Sequence, residues 1–144
     1  MRKSRYIVAI AALFTLGILS AEAIDHPGAT LPVASPERLA LVSAGKPLPI
    51  VVSSNDNPAV LHAAKNLQKD FERVTGILPF MGDNTQAKTA IIIGTLDSPI
   101  IKEMVSKGKI DAGQLVGLTE KYMIPTVTDP ADGINEALVI TGSD

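Results

Sequence analysis

The chain has 144 residues, 13 Lys and Arg against 15 Asp and Glu, and a formal net charge of −2. With no excess or clustering of basic residues it lacks the electrostatic footprint of a nucleic-acid binder. It has no cysteine, so packing rather than disulfides must stabilise it, and with 3% aromatic residues and no Trp it offers few rings to stack on the apolar face of a sugar.

The chain opens with Arg2, Lys3 and Arg5, then an apolar stretch from Tyr6 to Leu19, then Ala21-Glu22-Ala23. Basic residues, a short apolar run and a small-x-small site predict an export signal over residues 1–23, cleaved after Ala23. The apolar run is shorter than the roughly 20 residues that cross a bilayer, and Glu22 and Asp25 interrupt it, so the expectation is no membrane association once the signal is removed. Export without cysteines suits a periplasmic or secreted location. Residues 24–45, with Pro27, Pro32 and Pro36, read as an extended leader. Order is expected from near Lys46, and residues 46–144 read as one α/β domain.

Pro49 to Ser53 is rich in β-branched residues and predicts a strand, ended by the turn cluster Ser54-Asn55-Asp56-Asn57. Pro58 stands at the first position of the next helix, where its missing N–H costs nothing. From Pro58 to Thr75 the apolar residues Val60, Ala63, Ala64, Leu67, Phe71 and Val74 recur at helical spacing, with His62, Lys65, Asn66, Lys69, Asp70 and Arg73 between them. Gly76 is expected to cap the helix, and Ile77 to Met81 to form a second strand before the polar loop Gly82 to Lys88. Thr89 to Gly94 reads as a central strand buried on both faces, and Ser98-Pro99 repeats the cap-and-proline device before a helix that Gly108 ends. A helical turn within Asp111 to Leu118, a strand from Tyr122 to Val127, a turn over Asp129 to Gly133 and a last strand from Ala137 to Thr141 complete the order β-α-β-β-α-β-β. This pattern predicts a mixed β-sheet flanked by helices, an α/β fold.

Recognisable chemistry is sparse. His26 and His62 are the only histidines, in the leader and on the outer face of the first helix, so no metal site and no other cofactor is expected. Gly94 to Ser98 joins a strand to a helix but carries no phosphate-binding glycine pattern, and is read as a plain turn. Asp129 and Asp132 are close in sequence, yet Pro130 and Gly133 beside them indicate turn chemistry rather than a glycosidase pair facing across a pocket. With no G-x-S-x-G elbow and no Cys-His dyad, the catalytic set is expected to be empty.

Several strings together do resemble a known family. "PIVVSSNDNPAVLHAAKNLQKDFERVTGILP", "IIIGTLDSPIIKEMVSKGKID" and "ALVITGSD" are similar in order and spacing to the amino-terminal domain of family-115 glycoside hydrolases, the xylan α-1,2-glucuronidases. The matching residues are Asp56 with Pro58, Ala63-Ala64, Leu67-Gln68, Arg73 to Gly76, Ile92 to Leu96, Ser98-Pro99, Gly108-Lys109 and Gly142-Ser143-Asp144, so the resemblance spans about residues 41–144. It departs at Leu118-Thr119-Glu120, where the family usually carries Lys-Trp-Glu, and at His62, where Arg is frequent.

The resemblance implies a non-catalytic accessory domain whose partner is a catalytic barrel of the same parent chain. The parent activity it implies is removal, with inversion, of glucuronic acid or its 4-O-methyl ether from glucuronoxylan. Asp144, after the last strand, is the residue expected nearest the pocket edge or the barrel interface. The helix that Gly142-Ser143-Asp144 announces does not follow, which reads as truncation, a split gene or an incomplete sequence. A free-standing periplasmic binding or adaptor module, and a remnant without function, are the alternatives.

Overall fold

The structure, a computed structural model, describes residues 39–143. The export signal with its cleavage after Ala23, the leader as far as residue 38, His26 and Asp144 lie outside the described residues.

Order starts before Lys46. Val42–Ser43 (β1) and Lys46–Pro47 (β2) pair as a small antiparallel hairpin inside the stretch read as leader. The turn is Ala44-Gly45, both at positive φ (48° and 74°), the backbone that a two-residue hairpin requires.

The main sheet has four parallel strands in the order β4-β3-β5-β8, where β3 is Ile50–Val52, β4 is Met81–Gly82, β5 is Thr89–Thr95 and β8 is Ile134–Gly142. Tyr122–Met123 (β6) and Thr126–Ala131 (β7) run antiparallel to β8. Alternation along the strands separates two cores. Ile50, Val52, Ile91 and Ile93 face one way, packing with Ala64, Leu67 and Phe71 of the helix α1 (Pro58–Thr75). Val51, Ala90, Ile92, Ala137 and Val139 face the other way, with Ile101 and Met104 of α2 (Pro99–Ser106). The central strand is buried on both faces, as its unbroken apolar run predicts.

Both helices begin as their sequences suggest and differ in how they are capped. Asn57 Oδ1 accepts from the Ala59 N–H at 2.9 Å, and Gly76 at φ 74° donates its N–H to Glu72 O at 2.7 Å, closing α1. Ser98 holds the equivalent place before α2, but its hydroxyl makes no capping hydrogen bond.

Four details differ from expectation. Within α1, Ala63 is exposed and Val74 is 83% exposed, whereas Leu61 and Gln68 are half-buried. Positions 63 and 74 are eleven residues apart and share one azimuth on a helix of 3.6 residues per turn, so the buried stripe is rotated away from both of them. The second strand shrinks to Met81–Gly82, because Pro79 has no N–H and gives its carbonyl to Gln68 Nε2 at 2.8 Å. The strand from Tyr122 is interrupted at Ile124-Pro125, where Pro125 donates nothing and only its carbonyl serves the edge, taking the Val139 N–H at 2.9 Å. The turn over Asp129 to Gly133 is shorter than predicted, since β7 continues to Ala131. Between the pairs Thr128 with Glu136 and Ala131 with Ile134 it carries one extra residue, a bulge with Asp129 at φ 48°. His62 is exposed on α1, as expected.

Candidate functional site: a crevice at the strand ends

Because β3, β5 and β8 are parallel, the loops that follow them meet at one end of the sheet. From β3 the chain passes to β4 on one side with α1 on one face, and from β5 it passes towards β8 on the other side with α2 on the opposite face. The strand order therefore reverses between β3 and β5, and open parallel sheets leave a crevice outside the carboxyl ends of the strands at such a point.

A crevice of about 260 Å³ lies there. The loop after β3 contributes Asn55, Asp56 and Asn57, the loop after β5 contributes Thr95, Asp97, Ser98 and Pro99, and Ser143 follows β8. Asp56 is the pivot of the site, buried to within 9% of its surface. Its Oδ1 accepts from its neighbour's backbone, Asn57 N–H at 2.8 Å, and from Thr95 Oγ1 at 3.1 Å across the switch. One carboxylate oxygen thus ties the start of α1 to the end of β5.

Its second oxygen, Oδ2, is buried and has no hydrogen-bond partner, and the same holds for Ser98 Oγ and Thr141 Oγ1. A buried polar atom without a partner is destabilising by about 1–3 kcal/mol, so such atoms mark places where a ligand or water belongs. Asp56 and Ser98, the residues that carry two of these three oxygens, line the crevice. Thr141 pairs with Gly94 in the ladder, one position from the Thr95 end of β5, and Ser98 lies so close over Gly94 that a Cβ there would come within 2.8 Å of it.

The rim is differently arranged. Asp97 is exposed, and a 2.8 Å ion pair and hydrogen bond from Lys102 hold its carboxyl below the usual carboxylate range. Ser143 accepts from the Lys121 N–H at 3.3 Å and donates its own N–H to Lys121 O at 2.9 Å, extending the β6–β8 ladder to the crevice wall.

A second cleft, of about 350 Å³, is larger and includes Asp83, Glu103 and Asp132. Two of those carboxylates are engaged, Asp83 by the Ser54 N–H at 2.6 Å and Glu103 by Lys107 at 2.6 Å. Size favours this cleft, but the unpartnered buried oxygens favour the crevice, and they are the better sign of a ligand.

Asp129 and Asp132 are both exposed, the first in the β7 bulge and the second at the β7–β8 turn, away from the crevice lining. From the sequence alone Asp56, Thr95 and Ser98 are turn and capping residues. The signal for their convergence was the repeated cap-proline device, Asn57-Pro58 and Ser98-Pro99, after two strands that prove to be parallel neighbours. No protein-family model matches this chain, and no curated protein gives a significant match to it.

Proposed function

We propose that this chain forms the amino-terminal, non-catalytic α/β domain of an exported glycoside hydrolase resembling the xylan α-1,2-glucuronidases. One observation carries the reading: three parts of the resemblance that are far apart in sequence meet in one place. Asp56 with Pro58, Gly94 with Thr95, Ser98-Pro99 and Gly142-Ser143 end or follow three different strands, and all stand at the carboxyl end of the sheet by the crevice. In this reading the crevice end faces the catalytic barrel, which supplies the acid and base that an inverting glycosidase requires.

An exposed aromatic side chain at the same end supports it. Tyr122 is paired with Gly142 at the carboxyl end of β8 and is 72% exposed, and Val116, Leu118 and Ile124, its neighbours in sequence, are exposed too. Apolar surface of this kind commonly marks a protein contact. The buried oxygens without partners also favour a binding module that acts on its own, which remains the second reading.

Two assays on the 144-residue chain test the proposal. Alone it should release no glucuronic acid from glucuronoxylan, and it should co-elute with the barrel of a family-115 enzyme deprived of its own amino-terminal domain. Release of glucuronic acid by the chain alone, lost in Asp56→Asn, would overturn the non-catalytic assignment. Failure to associate with any such barrel would favour the binding module.

A further inference from the structure

The sheet face that carries α1 is covered over β3 and β5 but not over β8 and its antiparallel neighbours. Side chains alternate along β8, and Leu138 and Ile140 point to the α1 face, where they join the cluster of Ile50, Val52, Ile91 and Ile93. Residues opposite them on β6 and β7 point the same way. Tyr122 pairs with Gly142 and Thr126 with Leu138, one register that sets Ile124 opposite Ile140. Tyr122 is 72% and Ile124 52% exposed, and Leu138 and Ile140 are only half-buried, so neither helix overlies this half of the face.

The unpacked flank of α1 borders the same gap. Gln68 reaches the Pro79 carbonyl on the β4 side, and at about 100° per residue Ala63 and Val74 stand about 120–140° round the helix from it, on the flank towards β8. Both are apolar and exposed. The apolar stripe of α1 is therefore wider than the surface it covers. The open strip is two strands wide, about 10 Å at ~4.8 Å per strand, which is the diameter of a helix and the spacing of two packed helices. Glu136 lies on the same side of β8 at the amino end of the strip, half-buried, and its carboxylate has no ion pair or hydrogen bond among the described residues. A half-buried carboxylate of this kind favours a cationic partner.

A second copy of the chain is a poor occupant. Its own α1 stands on the same face and would press Lys65, Lys69 and Arg73, exposed on the outer side of that helix, against the sheet. We propose that the open half of the α1 face docks an amphipathic helix lying beside α1. Its apolar stripe covers Tyr122, Ile124, Leu138 and Ile140, and a Lys or Arg near one end pairs with Glu136. The inference stands on the packing of this face and is independent of the glycosidase reading, on which the glucuronoxylan and barrel assays alone bear.

Amide NMR of the isotope-labelled 144-residue chain tests it, with three synthetic 18-residue peptides as probes. The first has Leu at helical spacing on Ala with Lys in its last turn, the second is the same composition scrambled to remove the stripe, and the third carries Glu in place of Lys. The expected result is saturable shifts at Ala63, Val74, Tyr122, Ile124 and Ile140 with the first peptide, none with the scrambled one, and weaker binding of the Glu peptide. Tyr122→Ser with Ile124→Ser alters exposed side chains and should weaken binding about tenfold or more, its own spectrum reporting that it has folded. Glu136→Gln should abolish the advantage of the Lys peptide over the Glu peptide. The proposal is overturned if the first peptide gives no saturable shifts on this face, if the scrambled peptide gives the same shifts, if either folded variant binds all three peptides as the parent does, or if the parent chain self-associates through these residues.

Discussion

The tightest contact behind the crevice is at Gly94, and replacing it with Ala tests the packing of α2 onto β5. A Cβ built at Gly94 would lie 2.8 Å from Ser98 Cβ, 2.9 Å from Ser98 Oγ and 3.0 Å from Ile101 Cγ1. Neither neighbour can withdraw easily. Ser98 is held by its N–H to Thr95 O at 3.0 Å and by its carbonyl, which accepts from Lys102 N–H at 2.9 Å, and Ile101 is fully buried. Overpacking of this kind costs about 1–3 kcal/mol, while Ala in place of Gly recovers about 0.4–1 kcal/mol by restricting the unfolded chain. The net destabilisation expected for Gly94→Ala is therefore about 1–2 kcal/mol, a fall in Tm of at least about 4 °C for a domain of this size. Urea unfolding followed by far-UV circular dichroism gives the value, with an unchanged slope as the check that only stability has moved. Adding Ser98→Gly removes the two nearest atoms, so the pair should recover about 1 kcal/mol relative to the sum of the single effects. An unshifted midpoint in Gly94→Ala, or strict additivity in the pair, would refute this account of how α2 sits on β5.

Three further outcomes follow from local contacts. Asn57→Ala removes the side-chain acceptor at the start of α1 and should be destabilising by about 1 kcal/mol in the same unfolding experiment. Gly76→Ala meets no atom within 4 Å, so its cost of about 1 kcal/mol is that of a left-handed backbone alone, and no second-site substitution nearby should relieve it. Lys102→Ala should let the Asp97 carboxyl, held low by its hydrogen bond and ion pair with Lys102, rise back towards its ordinary pKa in a carbon-detected NMR titration. Since the folded pKa is the depressed one, the pair's contribution is present above the unfolded carboxylate pKa and is lost as the pH falls through the folded value. Both partners are exposed, so salt should diminish the effect.

Much of the fold was legible because its signals are local. Pro58 and Gly76 bracket α1 by backbone chemistry alone, and the apolar run at Ile91 to Ile93 needed no partner to reveal a strand buried on both faces. The edges were harder to read. Whether Ile77 to Phe80 pairs depends on Gln68 capturing the Pro79 carbonyl eleven residues away, and the bulge at Asp129 depends on the register with Ile134 and Glu136. The site was the least legible part, since its residues look like ordinary turn formers until parallel pairing sets their loops side by side. Nothing in the sequence shows that Thr95 donates to Asp56 over 39 positions, leaving the other carboxylate oxygen free.

The measurement closest to the central claim is the coding DNA read beyond codon 144. If the domain belongs to a glycoside hydrolase of this kind, the frame continues with Lys-Arg-Gly, a helix that covers the end of β8, and a barrel-sized domain carrying paired carboxylates. A stop codon at position 145 in a verified genomic sequence, with no barrel encoded downstream, would contradict the claim and leave the self-contained binding module.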